Sequence, residues 1–151
     1  MMMMMRHSRA ISFSACFALL VITAACRADR DPGTTGTTGT TAVRVTDVTL
    51  GRSVGGDKAI TDRTDTFRPT DTIYASVATD GSANSATLRA RWTFEDGQVV
   101  DDSTRTIAPG NRERTEFHIS KPNGWPAGKY KVEVSLDNRT VETKSFEVRG
   151  S

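Results

Sequence analysis

Cysteine, histidine and aromatic side chains are all scarce in this chain, and each shortage removes a class of chemistry. Only Cys16 and Cys26 occur. Cys16 lies in an apolar stretch that reads as a cleaved leader, so the mature chain keeps one thiol and forms no intrachain disulfide, although an exported compartment would permit one. The histidines are His7 and His118. With His7 in the leader, no His and Cys ligand set for zinc or copper can be assembled. His118 reads as an outward strand residue between Phe117 and Ile119, and no serine elbow is expected to serve it in a catalytic triad. Aromatic residues make up 7% of the chain, which leaves no aromatic-lined cleft to frame paired carboxylates for glycoside chemistry.

Excess charge is missing too. The 20 basic side chains face 18 acidic ones. Arg6 and Arg9 fall in the leader, which holds no acid, so the mature chain is formally neutral at 18 against 18. Attraction to nucleic acid or an anionic surface needs clustered Lys and Arg, and no nucleic-acid partner is expected. No segment sustains a 3.6-residue period, so helix should be negligible. The longest apolar run, Ala10 to Ala25, is 16 residues, shorter than the ~20 of a transmembrane helix.

What is present begins with that run. Arg6, His7 and Arg9 precede it, and Ala24 and Ala25 stand before Cys26. This is the layout of a secretory signal peptide over 1–25, with Cys26 as the lipid acceptor of a bacterial lipoprotein. Thr23 departs from the usual aliphatic residue, and cleavage by ordinary signal peptidase after Ala25 or Ala28 is the rival. Two or more acyl chains on Cys26, each contributing about 0.8 kcal/mol per methylene, would suffice for stable anchoring. Arg27 lacks the Asp that retains lipoproteins in enteric inner membranes, so the expected location is the outer membrane if the host has one.

Residues 33–41 repeat Gly-Thr-Thr three times, too short a period for a folded repeat. The linker 26–42 is therefore expected to be a disordered tether. Its 16 residues after Cys26 span ~22 Å as a flexible coil.

From residue 43 to 149 the pattern has period two, the mark of half-buried strands. Val43 and Val45, then Val48 and Leu50, define a first strand that changes face near Asp47. Ile73, Ala75 and Val77 define a second. Leu88, Ala90, Trp92 and Phe94 alternate with polar residues in the cleanest run. Asp96-Gly97 predicts a two-residue hairpin into 98–107, which sets Val99 opposite Phe94 and Asp102 opposite Arg91. Thr115, Phe117 and Ile119 make a fifth inward row, and Tyr130, Val132, Val134 and Leu136 a sixth. Asp137-Asn138 turns into a last strand over 140–148, where inward parity changes from Val141 to Phe146 and Val148, so a bulge is expected between them.

About seven strands joined by short turns predict an all-β, immunoglobulin-like sandwich without a disulfide. Trp92 is placed as the core Trp of such a domain and Tyr130 as its corner Tyr. Val77 and Val132 stand where the paired cysteines would be.

Phe67-Arg-Pro-Thr-Asp-Thr-Ile-Tyr-Ala-Ser-Val77, Ala90-Arg-Trp-Thr-Phe-Glu-Asp-Gly97 and Lys121-Pro-Asn-Gly-Trp-Pro-Ala-Gly-Lys-Tyr-Lys-Val132 together resemble segments of uncharacterised bacterial lipoproteins and exported proteins. The resemblance covers most of 43–149 and departs at Asp137-Asn138, where Asp-Gly is usual. It implies an envelope location and this fold, and no catalytic residues.

Asp57, Asp62 and Asp65 in the 51–70 connection, and Asp101 with Asp102, offer oxygens suited to calcium. Lys58 and Arg63 intervene and no loop motif fits, so a solvated loop is expected. Trp125, between Lys121-Pro122 and Pro126, is expected to pack under a crossover at the sandwich end; its rival role is a sugar-stacking platform. No catalytic, cofactor or metal residue is assigned. The expected function is a non-enzymatic module, anchored through Cys26, that contacts an envelope protein. The alternative is carbohydrate or peptidoglycan binding through Trp125 and the end loops.

Overall fold

The computed structural model describes residues 41–150. The leader 1–25, Cys26 and the tether as far as residue 40 lie outside the described residues. Eight strands form: β1 (Arg44–Gly51), β2 (Thr66–Phe67), β3 (Ile73–Asp80), β4 (Ala86–Phe94), β5 (Gln98–Ile107), β6 (Glu113–Ile119), β7 (Gly128–Leu136) and β8 (Arg139–Val148). They build a three-stranded sheet, β1-β3-β6, and a five-stranded sheet, β2-β8-β7-β4-β5. No helix among the described residues is long and apolar enough to cross a membrane.

Alternation explains the layering. Ile73, Ala75 and Val77 on β3, Leu88, Ala90 and Trp92 on β4, and Tyr130, Val132 and Val134 on β7 are all at most 1% exposed. The two sheets bury these rows against each other. Trp92 meets Phe146 edge-on at 5.8 Å, and Phe146 stacks on Tyr130 at 5.2 Å. Burial of an indole contributes roughly 5 kcal/mol at ~25 cal/mol/Å², so Trp92 anchors this core. Val77 and Val132 are both fully buried, aliphatic packing standing at the expected cysteine positions.

Several register details differ from expectation. The β4–β5 loop has three residues, Glu95, Asp96 and Gly97, with Glu95 at φ 46° and Gly97 at φ 104°. Phe94 therefore faces Gln98, and Val99 faces Thr93 on the outer side, where it is 45% exposed. A shift at Val100 restores the frame, so Asp102 does face Arg91. Its ion pair, however, forms diagonally with Arg89, whose Nε donates to it at 2.7 Å. On β8 the bulge falls at Val141 itself, since Val134 faces Glu142 and Ser135 faces Thr140. That displaced residue is 44% exposed rather than inward. The face change on β1 is a bulge between Val45 and Asp47.

β2 is an eighth strand within the 51–70 connection, parallel to the end of β8. It exists because Phe67, 1% exposed, must reach the core and packs edge-on against Phe146 at 5.5 Å. A two-residue strand gives no period for a sequence pattern to reveal.

Candidate functional site

Trp125 sits in the loop between β6 and β7 and is 7% exposed. Its Nε1 donates to the Asp71 carbonyl oxygen at 3.1 Å, and its backbone N–H donates to Pro69 O at 2.8 Å. Tyr130 meets the ring edge-on at 6.1 Å, while the Lys121 ammonium stands 5.9 Å from its centroid. The indole is thus a clasp between the β2–β3 and β6–β7 connections, and its burial leaves no broad face for a sugar to stack on. Tyr130 completes the corner by donating its hydroxyl to Pro126 O at 2.8 Å. Burial, and then the charge of Glu95, raise its phenol above the ordinary tyrosine value.

Beside this clasp lies a polar network. Arg52 Nε donates to Asp71 Oδ2 at 2.9 Å, and its Nη2 donates to Thr66 O at 2.7 Å. The Arg68 N–H donates to the same carboxylate oxygen at 2.8 Å. Burial alone would raise the Asp71 carboxyl, but the bond from Arg68 N–H and the Arg52 guanidinium outweigh it and hold the group below its usual value. The Arg52 guanidinium is raised in turn, chiefly by its hydrogen bond to Asp71.

The acids weighed for calcium do not converge. Asp57 Oδ1 accepts the Ala59 N–H, Asp62 lies 3.5 Å from Arg52, Asp101 accepts the Ser103 hydroxyl, and Asp102 binds Arg89. Among the described residues no group of three acidic, His or Cys side chains could hold a metal ion. His118 is outward on β6, where its Nδ1 meets Glu116 Oε1 at 2.5 Å and its ring leans on Tyr74 at 5.4 Å. Gly51-Arg52-Ser53-Val54-Gly55 does have the spacing of a nucleophile elbow. It falls on a hairpin excursion rather than a strand-to-helix turn, and the Ser53 hydroxyl bonds Thr61 Oγ1 at 2.7 Å.

The outer face of the five-stranded sheet carries an ordered array of charge. Registers place Arg91 of β4 between Glu133 of β7 and Asp102 of β5, and set Lys131 of β7 between Thr93 and Ser145. Arg89 and Lys129 extend the same face, and Arg91 Nε is buried without a hydrogen bond among the described residues. A shallow groove of about 360 Å³ crosses the β7–β8 side, lined by Glu95, Lys129, Lys131, Ser145, Glu147 and Arg149. These positions were legible as the polar half of each alternating strand; only the ladder shows which of them meet.

No protein-family model and no curated protein matches the chain. Among solved structures, it superposes on an immunoglobulin-like protein of Pseudomonas aeruginosa with a TM-score of 0.50 at 19% identity, covering 74% of this chain and 99% of that one. A β-glucosidase of Listeria innocua aligns with a TM-score of 0.48 at 8% identity, over 73% of this chain but 16% of the enzyme. A CARDB domain of Pyrococcus furiosus aligns with a TM-score of 0.39 at 15% identity, over 70% of this chain and 88% of that domain. At these identities likeness speaks for fold alone. The described residues form an immunoglobulin-like β-sandwich.

Proposed function

We propose that this protein is a non-enzymatic lipoprotein of the bacterial envelope, anchored through Cys26, whose immunoglobulin-like domain contacts another envelope protein. Its Phe67–Val77, Ala90–Gly97 and Lys121–Val132 segments resemble those of exported bacterial proteins, which supports that location. The observation that carries the contact role is the outer face of the five-stranded sheet. There Arg89, Arg91, Lys129 and Lys131 stand among Glu133, Asp102 and Glu147 on one sheet face. Arginine on a fixed scaffold is the side chain most suited to bidentate recognition of carboxylates on a partner. The glycan-binding reading is weaker because Trp125 is held inside the end clasp.

The test is a photo-cross-linking residue placed at Lys131 in intact cells, beside sedimentation of the purified protein with cell-wall glycan. A recurring envelope protein joined at Lys131 is expected. Saturable glycan binding with no protein adduct would overturn the proposal.

A further inference from the structure

An open strand edge offers a row of backbone N–H and C=O groups to any extended chain, and proteins guard such edges with bulges, inward charges or covering segments. Three of the edges here are guarded. β1 is bulged between Val45 and Asp47, and its end is already bonded by the segment that follows, through Arg52 N to Asp62 O and Thr64 N to Leu50 O. β5 is shifted at Val100 and sets Asp101 opposite Trp92 and Arg105 opposite Leu88, toward the core side. β8 bulges at Val141, sets Glu142 and Lys144 opposite inward Val134 and Val132, and is covered at its end by β2. Over 116–119 β6 has none of these guards; its one charge on the core side is Glu113, opposite Thr79 at the strand's start beside the 57–58 hairpin tip. The strand pairs with β3 without a shift, and its inward Thr115, Phe117 and Ile119 are buried. Among the described residues, no backbone–backbone bond from 115–119 reaches beyond β3.

We propose that β6 pairs antiparallel with β6 of a second copy of this chain, about a two-fold axis through Phe117, joining the two three-stranded sheets into one. The axis must be perpendicular to the sheet and pass through a residue position, because only then do both cores stay on the same side. An axis at Glu116 would set Glu116 against itself and Arg114 against the second copy's His118. An axis at Thr115 would bring Arg112 to His118 and Glu113 to Phe117, and would centre the pairing on the end of β6 beside Asp57 and Lys58 of the hairpin tip.

With the axis at Phe117, Glu116 faces the second copy's His118 and Glu113 faces its Lys121. Thr115 then faces Ile119, Arg114 faces Ser120, and no like charges meet. Glu113 and Lys121 are both exposed. Among the described residues, the Glu113 carboxylate accepts only the Gly110 N–H, and Lys121 lies near the Trp125 ring without a carboxylate. This surface is on the opposite sheet from the outer face assigned to the envelope partner, so each proposal is tested separately.

The test uses the full chain in detergent, as a mixture of isotope-labelled and unlabelled protein, treated with a carbodiimide that joins a carboxylate directly to an amine. The six steps of β6 from Glu113 to Ile119 alone span roughly 20 Å, and Lys121 lies beyond that end, so an amide between Glu113 and Lys121 forms only between copies. The expected product is a mixed-isotope Glu113–Lys121 peptide. Its yield should fall about ten-fold in His118→Glu, where the cross-strand pairs become repulsive, and return in the Glu116→Lys, His118→Glu double variant. Absence of the link in the wild type, from micromolar to submillimolar protein, would overturn the proposal, as would an undiminished yield in a folded His118→Glu protein.

Discussion

The Trp125 indole N–H donates to the Asp71 carbonyl oxygen at 3.1 Å, across 54 residues of sequence. That bond joins two connections at one end of the sandwich and fixes Trp125 as a structural side chain. Trp125→Ala should therefore destabilise the protein by about 3 kcal/mol through the cavity and the orphaned carbonyl. Trp125→Phe, which keeps most of the packing, should be milder. Urea midpoints check both, and an unchanged midpoint in Trp125→Ala would mean that the ring is free.

Trp92→Ala should lower stability by ~3–5 kcal/mol, because the indole is fully buried against Phe146. Tyr130→Phe removes only the hydroxyl bonded to Pro126 O and should reduce stability by about 0.5–1.5 kcal/mol. The two variants, followed by thermal and urea unfolding, should keep that order.

Asp71 gives a pH dependence of known sign. Its carboxyl is held below the ordinary value in the folded state, so the unfolded chain binds the proton more readily. The contribution is complete above the unfolded value near 3.9 and is lost as pH falls through the lower folded value. With the Asp71 side chain 18% exposed and Arg52 36% exposed, solvent screening limits it to about 0.5–1 kcal/mol. Asp71→Asn should flatten the stability curve below about pH 4, and an unaltered curve would show that the Arg52 pair contributes nothing.

Cys26→Ala should abolish acyl labelling and move the protein from membranes to the soluble fraction. Fractionation with a labelled fatty acid checks this, and a soluble wild-type protein would contradict the anchor.

The fold was legible wherever a strand buries one whole face. Leu88, Ala90 and Trp92, or Tyr130, Val132 and Val134, can satisfy the core in only one phase, so alternation identifies both the strand and its inner side. Val99 and Val141 point outward against expectation because the β4–β5 loop has three residues rather than two and because the β8 bulge falls at Val141 itself rather than beyond it; both change parity without changing composition. β2 was hidden because a lone Phe67 carries no period. The candidate surface was half legible. Polar positions such as Arg91 and Lys131 were visible, but Glu133 beside Arg91 and the diagonal Arg89–Asp102 pair depend on ladder register and side-chain reach. The Arg52–Asp71 bond spans 19 residues, with no local signal at either end.

Contact through the outer sheet face is tested most directly by capturing partners from cross-linked cells with the wild type, with an Arg91→Glu, Lys131→Glu variant, and with Trp125→Phe. The same three proteins are assayed on purified cell-wall glycan. One envelope protein should be retained by the wild type and Trp125→Phe and lost in the charge-reversed variant, with no saturable glycan binding by any of the three. Glycan binding by the wild type that disappears in Trp125→Phe, with partner capture indifferent to charge reversal, would contradict it.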